Sequence, residues 1–91
     1  MKLSQEFELI NKYGMHVRPA GALAKLCQKF TSDVTVEKDG RAVSGKSVLG
    51  LMTLEAPVGS RLKVTANGND AQDAIEEIGA LVRNRFGILD E

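Results

Sequence analysis

The sequence predicts an α+β open-faced sandwich of four strands and three helices in the order βαββαβα, with one sheet face beneath the helices and the other wet. Three observations carry that expectation. Period-two alternation of apolar and polar residues marks three strands, and an Asp-Gly turn adds a fourth. Two longer segments space their apolar residues three and four apart, as helices do. No polar linker, repeat or low-complexity tract separates these segments. With 91 residues, 43% of them hydrophobic and 26% charged, the chain has room for one core, so a single domain over residues 1–91 is expected.

Taken in order, Phe7 and Leu9 alternate with Glu6 and Glu8, which makes residues 3–10 a half-buried strand. Asn11 to Met15 reads as a loop. Between Val17 and Phe30, residues Ala20, Leu23, Leu26, Cys27 and Phe30 fall on one helix face, and Pro19 fits the first turn, where no amide donor is needed. Val34 and Val36 alternate with Asp33, Thr35 and Glu37; Asp39-Gly40 then suits a type I′ turn into a strand near Arg41 to Ser44. Residues 48–54 form a short apolar run that periodicity does not settle, but Ser47 in front and Pro57 behind favour a helix of about two turns. Leu62, Val64 and Ala66 alternate with Arg61, Lys63 and Thr65, a strand ending at the Asn67-Gly68 turn. Asn69 with Gln72 offers a capping box to the last helix, whose apolar face Ala71, Ala74, Ile75, Ile78, Leu81, Val82 and Phe86 runs as far as Gly87. Asp70, Asp73, Glu76 and Glu77 lie early in it and Arg83 and Arg85 late, the arrangement a helix dipole favours.

Composition removes several function classes. Lys plus Arg (12) and Asp plus Glu (12) cancel, and aromatic residues make up 4%, so neither a global field nor stacking platforms draw the chain to nucleic acid. The single Cys27 can form neither an internal disulfide nor a Cys-based metal site, and its place on an apolar helix face reads as packing in a reducing compartment. With one His and one Cys a zinc centre is not expected, and no metal or other cofactor is implied. The N-terminus lacks a signal-peptide core and no stretch approaches the ~18 apolar residues of a membrane span, so direct membrane insertion is not expected and the cytoplasm is the expected location. Gly40 to Ser47 formally matches a P-loop, but Asp39-Gly40 reads as a hairpin turn and no parallel strand precedes a long helix.

The stretch with chemical content is Gly14-Met15-His16-Val17-Arg18-Pro19-Ala20, which sets the one histidine on the loop before the first long helix. A helix start offers free amide donors and the positive end of the dipole. An imidazole there has an unprotonated, nucleophilic nitrogen near neutral pH and forms a phosphoramidate that passes its phosphoryl group onward. Arg18 adds a guanidinium fork for phosphate oxygens, and Gly14 allows a tight loop or close approach of a partner. Phosphoryl transfer onto this ring predicts a mostly solvent-accessible His16. The bland alternative is a polar loop or cap residue.

Gly14 to Ala20 is similar to the active-site signature of the histidine-containing phosphocarrier (HPr) family of the bacterial phosphoenolpyruvate-dependent sugar phosphotransferase system. The resemblance covers essentially the whole chain and implies the HPr fold, a four-stranded antiparallel sheet with three helices on one face. It also implies that phospho-enzyme I phosphorylates the Nδ1 (pros) nitrogen of His16, that an enzyme IIA receives the group, and that Arg18 is the active-site arginine. Such a carrier holds a covalent phosphohistidine but turns over no small molecule alone.

Lys46-Ser47-Val48-Leu49-Gly50-Leu51-Met52 resembles the regulatory-serine segment of relatives that HPr kinase/phosphorylase modifies, with Ser47 on the serine; a plain N-cap explains that serine equally well. Val48, Leu49 and Met52 are apolar for a short surface helix and fall where the family docks partners, whereas at least Leu51 reads as core. Tyr13 and Val17 depart from the family pattern beside His16. Two other readings stay open: a carrier of the nitrogen-related regulatory branch, and a signalling adaptor that binds a transcriptional regulator when Ser47 is phosphorylated.

Overall fold

A computed structural model describes residues 1–88; the last three residues of the expected domain lie outside the described residues. The elements run β1 (Lys2–Glu8), α1 (Val17–Cys27), β2 (Asp33–Lys38), β3 (Arg41–Ser44), α2 (Val48–Met52), β4 (Arg61–Asn67) and α3 (Ala71–Arg83), followed by a short 3-10 turn, Arg85–Gly87. The order is the expected βαββαβα.

The four strands form one antiparallel sheet in the order β1-β4-β2-β3, which puts β4 and β2 in the middle. Register follows the alternation. Phe7 faces Leu62 and Val36 faces Val64, so the apolar residues of β1, β2 and β4 share the inner face. There they meet Ala20, Leu23, Ala24 and Cys27 of α1 and Ala71, Ala74, Ile75, Ile78 and Val82 of α3 in one core. The outer face carries Ser4, Lys63 and Thr65, with Ser4 and Thr65 joined by a 2.8 Å hydroxyl contact. Asp39 and Gly40 have φ of 52° and 82°, the paired positive values that a type I′ hairpin requires.

Several element ends differ from expectation, at β1 and α3 because of partners distant in sequence. β1 stops at Glu8 rather than residue 10, since beyond it Leu9 donates to the Ser60 carbonyl at 2.9 Å and accepts from the Gly59 amide at 2.7 Å, pairing with the loop ahead of β4. α1 ends at Cys27 rather than Phe30, where Lys29 and Phe30 donate to the carbonyls three residues back and tighten the chain out of the helix. α2 has five residues. The capping box of Asn69 with Gln72 does not form. Asp70 is the N-cap of α3, and its carboxylate accepts instead from Thr31 and Ser32, while Gln72 donates to Glu76 at 3.1 Å.

The last helix stops at Arg83, so Arg85 lies beyond it. Arg85 and Phe86 take left-handed φ of 52° and 58°, and the turn they make packs against α1 with Phe86 buried. A left-handed non-glycine residue costs about 1–2 kcal/mol. Burying a phenylalanine side chain returns about 1.5–3 kcal/mol, enough to offset one such residue.

Candidate functional site

The loop before α1 is built around buried Asn11. Its Nδ2 donates to the Gly14 carbonyl at 2.7 Å, and its own carbonyl accepts from the Gly14 amide at 3.1 Å. These two bonds bend the chain into a turn that Gly14 completes at φ 65°. Met15 then fixes the turn to the body: its side chain is buried and its amide donates to the Ala56 carbonyl at 2.8 Å. Gly14 is the only residue type that fits, because a Cβ there would run into the Ala56 carbonyl oxygen and lie 2.8 Å from Pro57 Cα.

His16 follows as the N-cap of α1, with extended φ −96° and ψ −169°, and its carbonyl accepts the first helical bond from Ala20 at 3.0 Å. Its side chain does not cap the helix. The ring is also not mostly exposed, as expected from the sequence, but half-buried, with Nε2 withdrawn from solvent. The physical reason is the tightness of the loop, which folds the imidazole against the body and stands it at 80° to the Tyr13 ring, centroids 6.2 Å apart. Arg18 is exposed in the first turn of α1, and Val17 between them is 56% exposed.

Ser47 caps α2: its Oγ accepts from the Gly50 amide at 3.0 Å. The approach to it is pinned to the end of α1, where Lys46 Nζ donates to the Phe30 carbonyl at 2.8 Å and Gln28 donates to the Lys46 carbonyl at 3.0 Å. Lys46 is thus committed to backbone, and Gly40 turns a hairpin, so the P-loop spacing is coincidental. Along α2, Leu51 is fully buried, Leu49 and Met52 are 68% and 40% exposed, and Val48 is partly buried against the core. The apolar surface of this helix is therefore Leu49 and Met52, with Val48 at its margin. Cys27 is a packed thiol: burial pushes it up to about 11, against the opposing pull of Lys46.

Two features of the site were not assigned from the sequence. Asn11 and Ala56 hold the loop, and an Asn three residues before a Gly was a usable turn signal for the first. Tyr13, read from the sequence as lying beside His16, does stand there, and the contact of Lys12 Nζ 5.2 Å from its ring centroid is one that no spacing rule gives. Among the described residues no group of three or more His, Cys, Asp and Glu could hold a metal ion, and no helix is long and apolar enough to cross a membrane.

Residues 3–84 match the PTS-HPr family, described as the PTS HPr component phosphorylation site. The chain is 39% identical over 85 residues to the phosphocarrier protein HPr of Cupriavidus necator, covering 93% of this chain and 96% of the relative. It is 40% identical over 81 residues to the HPr-like protein Crh of Bacillus subtilis, covering 89% of this chain and 95% of the relative. The crystal structure of HPr-C-His from Thermoanaerobacter tengcongensis superposes with a TM-score of 0.91 at 36% identity, covering 94% of this chain and 97% of that one. Sequence and backbone thus agree over nearly the full length, and the chain belongs to the PTS-HPr family, the HPr phosphocarriers of the phosphotransferase system.

Proposed function

We propose that His16 is the phosphoryl acceptor, taking the group from phospho-enzyme I and passing it to an enzyme IIA in sugar phosphotransfer. The observation that carries this reading is the half-buried ring at the head of α1, whose Nε2 is withdrawn from solvent. With Nε2 withdrawn, this reading assigns the reaction to Nδ1. The Nδ1 lone pair attacks, the new N–P bond forms as the donor's N–P bond breaks, and the donor nitrogen leaves with the bonding pair. Transfer to enzyme IIA reverses these roles. Arg18 supplies donors to the phosphoryl oxygens, and the amides at the start of α1 favour their charge. Leu49 and Met52, with Val48 beside them, form the apolar part of the partner-docking surface. A single domain over residues 1–91 working in the cytoplasm is part of the same reading.

Intact mass after incubation with phosphoenolpyruvate and enzyme I tests it. One acid-labile phosphoryl group is expected on the wild type and none on His16→Ala. An unlabelled wild type, or a labelled His16→Ala, overturns the assignment.

A second reading is regulation through Ser47 by HPr kinase/phosphorylase, or an adaptor role toward a transcriptional regulator. It is supported by Ser47 sitting at the start of α2, next to exposed Leu49, where a phosphate adds charge beside the docking surface without entering the core. The B. subtilis relative Crh is described as the catabolite repression HPr. Supply to the nitrogen-related branch uses the same His16 chemistry. Comparing Ser47→Ala with His16→Ala in cells separates the adaptor from the carrier: the stronger phenotype follows the residue whose chemistry dominates.

A further inference from the structure

We propose that β1 is a self-association edge, which pairs antiparallel with β1 of a second copy of this chain about a two-fold axis at Gln5.

β1 and β3 are the two edges of the sheet, and they are finished differently. β3 has four residues, and the chain after it turns back on it: the Ser44 carbonyl accepts from the Ser47 amide at 3.2 Å, and Ser44 Oγ accepts from the Lys46 amide at 3.1 Å. A short edge strand with its end taken up by a loop is a poor template for further pairing. β1 has seven residues, none of them proline or glycine, in unbroken register with β4 from Lys2 to Glu8. Among the described residues β4 is its one strand neighbour.

The groups that β1 turns outward follow from its two ends. Leu9 uses both its amide and its carbonyl on the chain leading into β4, and the Met1 carbonyl accepts from the Gly68 amide, just after β4, at 2.8 Å. Bonding direction alternates along an antiparallel strand, so Leu3, Gln5 and Phe7 between them bond to β4. Lys2, Ser4, Glu6 and Glu8 therefore direct their N–H and C=O groups to the open edge, and a strand added there bonds to those four.

The side chains of the edge complement themselves. Pairing about Gln5 sets Lys2 opposite the partner's Glu8 and Ser4 opposite the partner's Glu6, each twice by symmetry. On the inner face Leu3, which is partly buried, meets the partner's Phe7. Two opposite-charge pairs and two apolar pairs form together, and all four outward-bonding residues are used. Sliding by one bonding step loses this in either direction. One slip sets Glu6 against the partner's Glu6, and the other leaves Glu8 beyond the pairing and faces Ser4 with itself. The axis stands perpendicular to the sheet, so the helices of both copies lie on one side. α2 packs by β3, at the far edge, and its apolar surface stays open.

Sedimentation equilibrium over a concentration series reaching the millimolar range tests the pairing, with amide NMR spectra to show that each variant is folded. The wild type is expected to dimerise reversibly. Lys2→Glu and Glu8→Lys each set like charges opposite one another twice and are expected to weaken the dimer by about tenfold or more. An equimolar mixture of the two variants is expected to associate again, because every Glu at these positions then meets a Lys across the axis. A disulfide reads the register independently of charge. The two directly opposed positions 5 place their Cα atoms about 4.5 Å apart, within disulfide reach, whereas the two positions 4 lie on a diagonal of about 7–8 Å. Mild oxidation is expected to link Gln5→Cys into a covalent dimer and to leave Ser4→Cys unlinked, while Cys27 is buried and takes no part. A wild type that stays monomeric, single charge variants that dimerise as well as the wild type, a mixture no stronger than its components, or equal linking at positions 4 and 5 each overturns the proposal.

Discussion

Replacing Gly14 with alanine tests whether the site loop is held by close approach to the chain at Ala56 and Pro57. The backbone sits at φ 65°, where a non-glycine residue costs about 1–2 kcal/mol. The new Cβ would collide with the Ala56 carbonyl oxygen and lie 2.8 and 2.9 Å from Pro57 Cα and C, so backbone rather than a side-chain tip must move. Overpacking of that kind costs about 1–3 kcal/mol, and separating the segments breaks the Met15–Ala56 bond, worth about 0.5–1.5 kcal/mol. The expected destabilisation is about 3–6 kcal/mol, a large part of the whole stability of a domain this size. Urea unfolding measures it, as a midpoint lowered by about 2 M or more for an ordinary slope. Gly59→Ala is the control, because φ is 88° there but nothing lies within 4 Å of the added Cβ. It carries the backbone cost alone, about 1–2 kcal/mol. If the two variants lose the same stability, the close approach contributes nothing and the reasoning is wrong.

Leu51 is fully buried beneath α2, so Leu51→Ala is expected to cost about 2–5 kcal/mol in the same urea assay. Ser47→Ala removes the acceptor for the Gly50 amide and is expected to cost about 0.5–2 kcal/mol, with amide exchange accelerated across α2, whereas Ser47→Asp retains most of the cap. Hydrogen bonds from Ser32 and Thr31 hold the Asp70 carboxyl down at about 2. Its folded value lies below the unfolded 3.8, so its stabilisation is complete above that value and is lost as the pH falls toward about 2. Asp70→Asn is therefore expected to unfold more easily at neutral pH and to lose less stability across that acid window, as thermal melts at a series of pH values will register.

The fold was legible in the sequence where the information is local. Alternation in Val34-Thr35-Val36 and Leu62-Lys63-Val64 gave strands with the right faces, because side chains alternate along any strand whatever its neighbours. Asp39-Gly40 gave its hairpin because few residue pairs accept two positive φ values. Ser47 gave its cap, and the histidine motif gave the head of α1. The ends of β1 and α3 were less legible, since partners distant in sequence set them. Leu9 continues its pairing with Gly59 and Ser60, and Asp70 turns from its own helix to the Thr31 and Ser32 amides, 39 and 38 residues away.

The same division runs through the site. By itself the sequence determined that a lone histidine heads a helix, with an arginine in the first turn and a glycine ahead, since each depends only on its neighbours in the chain. Only the tertiary structure decided that the ring is half-buried with Nε2 turned from solvent, that the Tyr13 ring meets it edge to face, and that Val48 is drawn partly into the core. Exposure and ring orientation are properties of the surfaces that meet when Met15 docks on Ala56 and α2 packs on α1, and no short stretch of sequence contains both sides of such a contact.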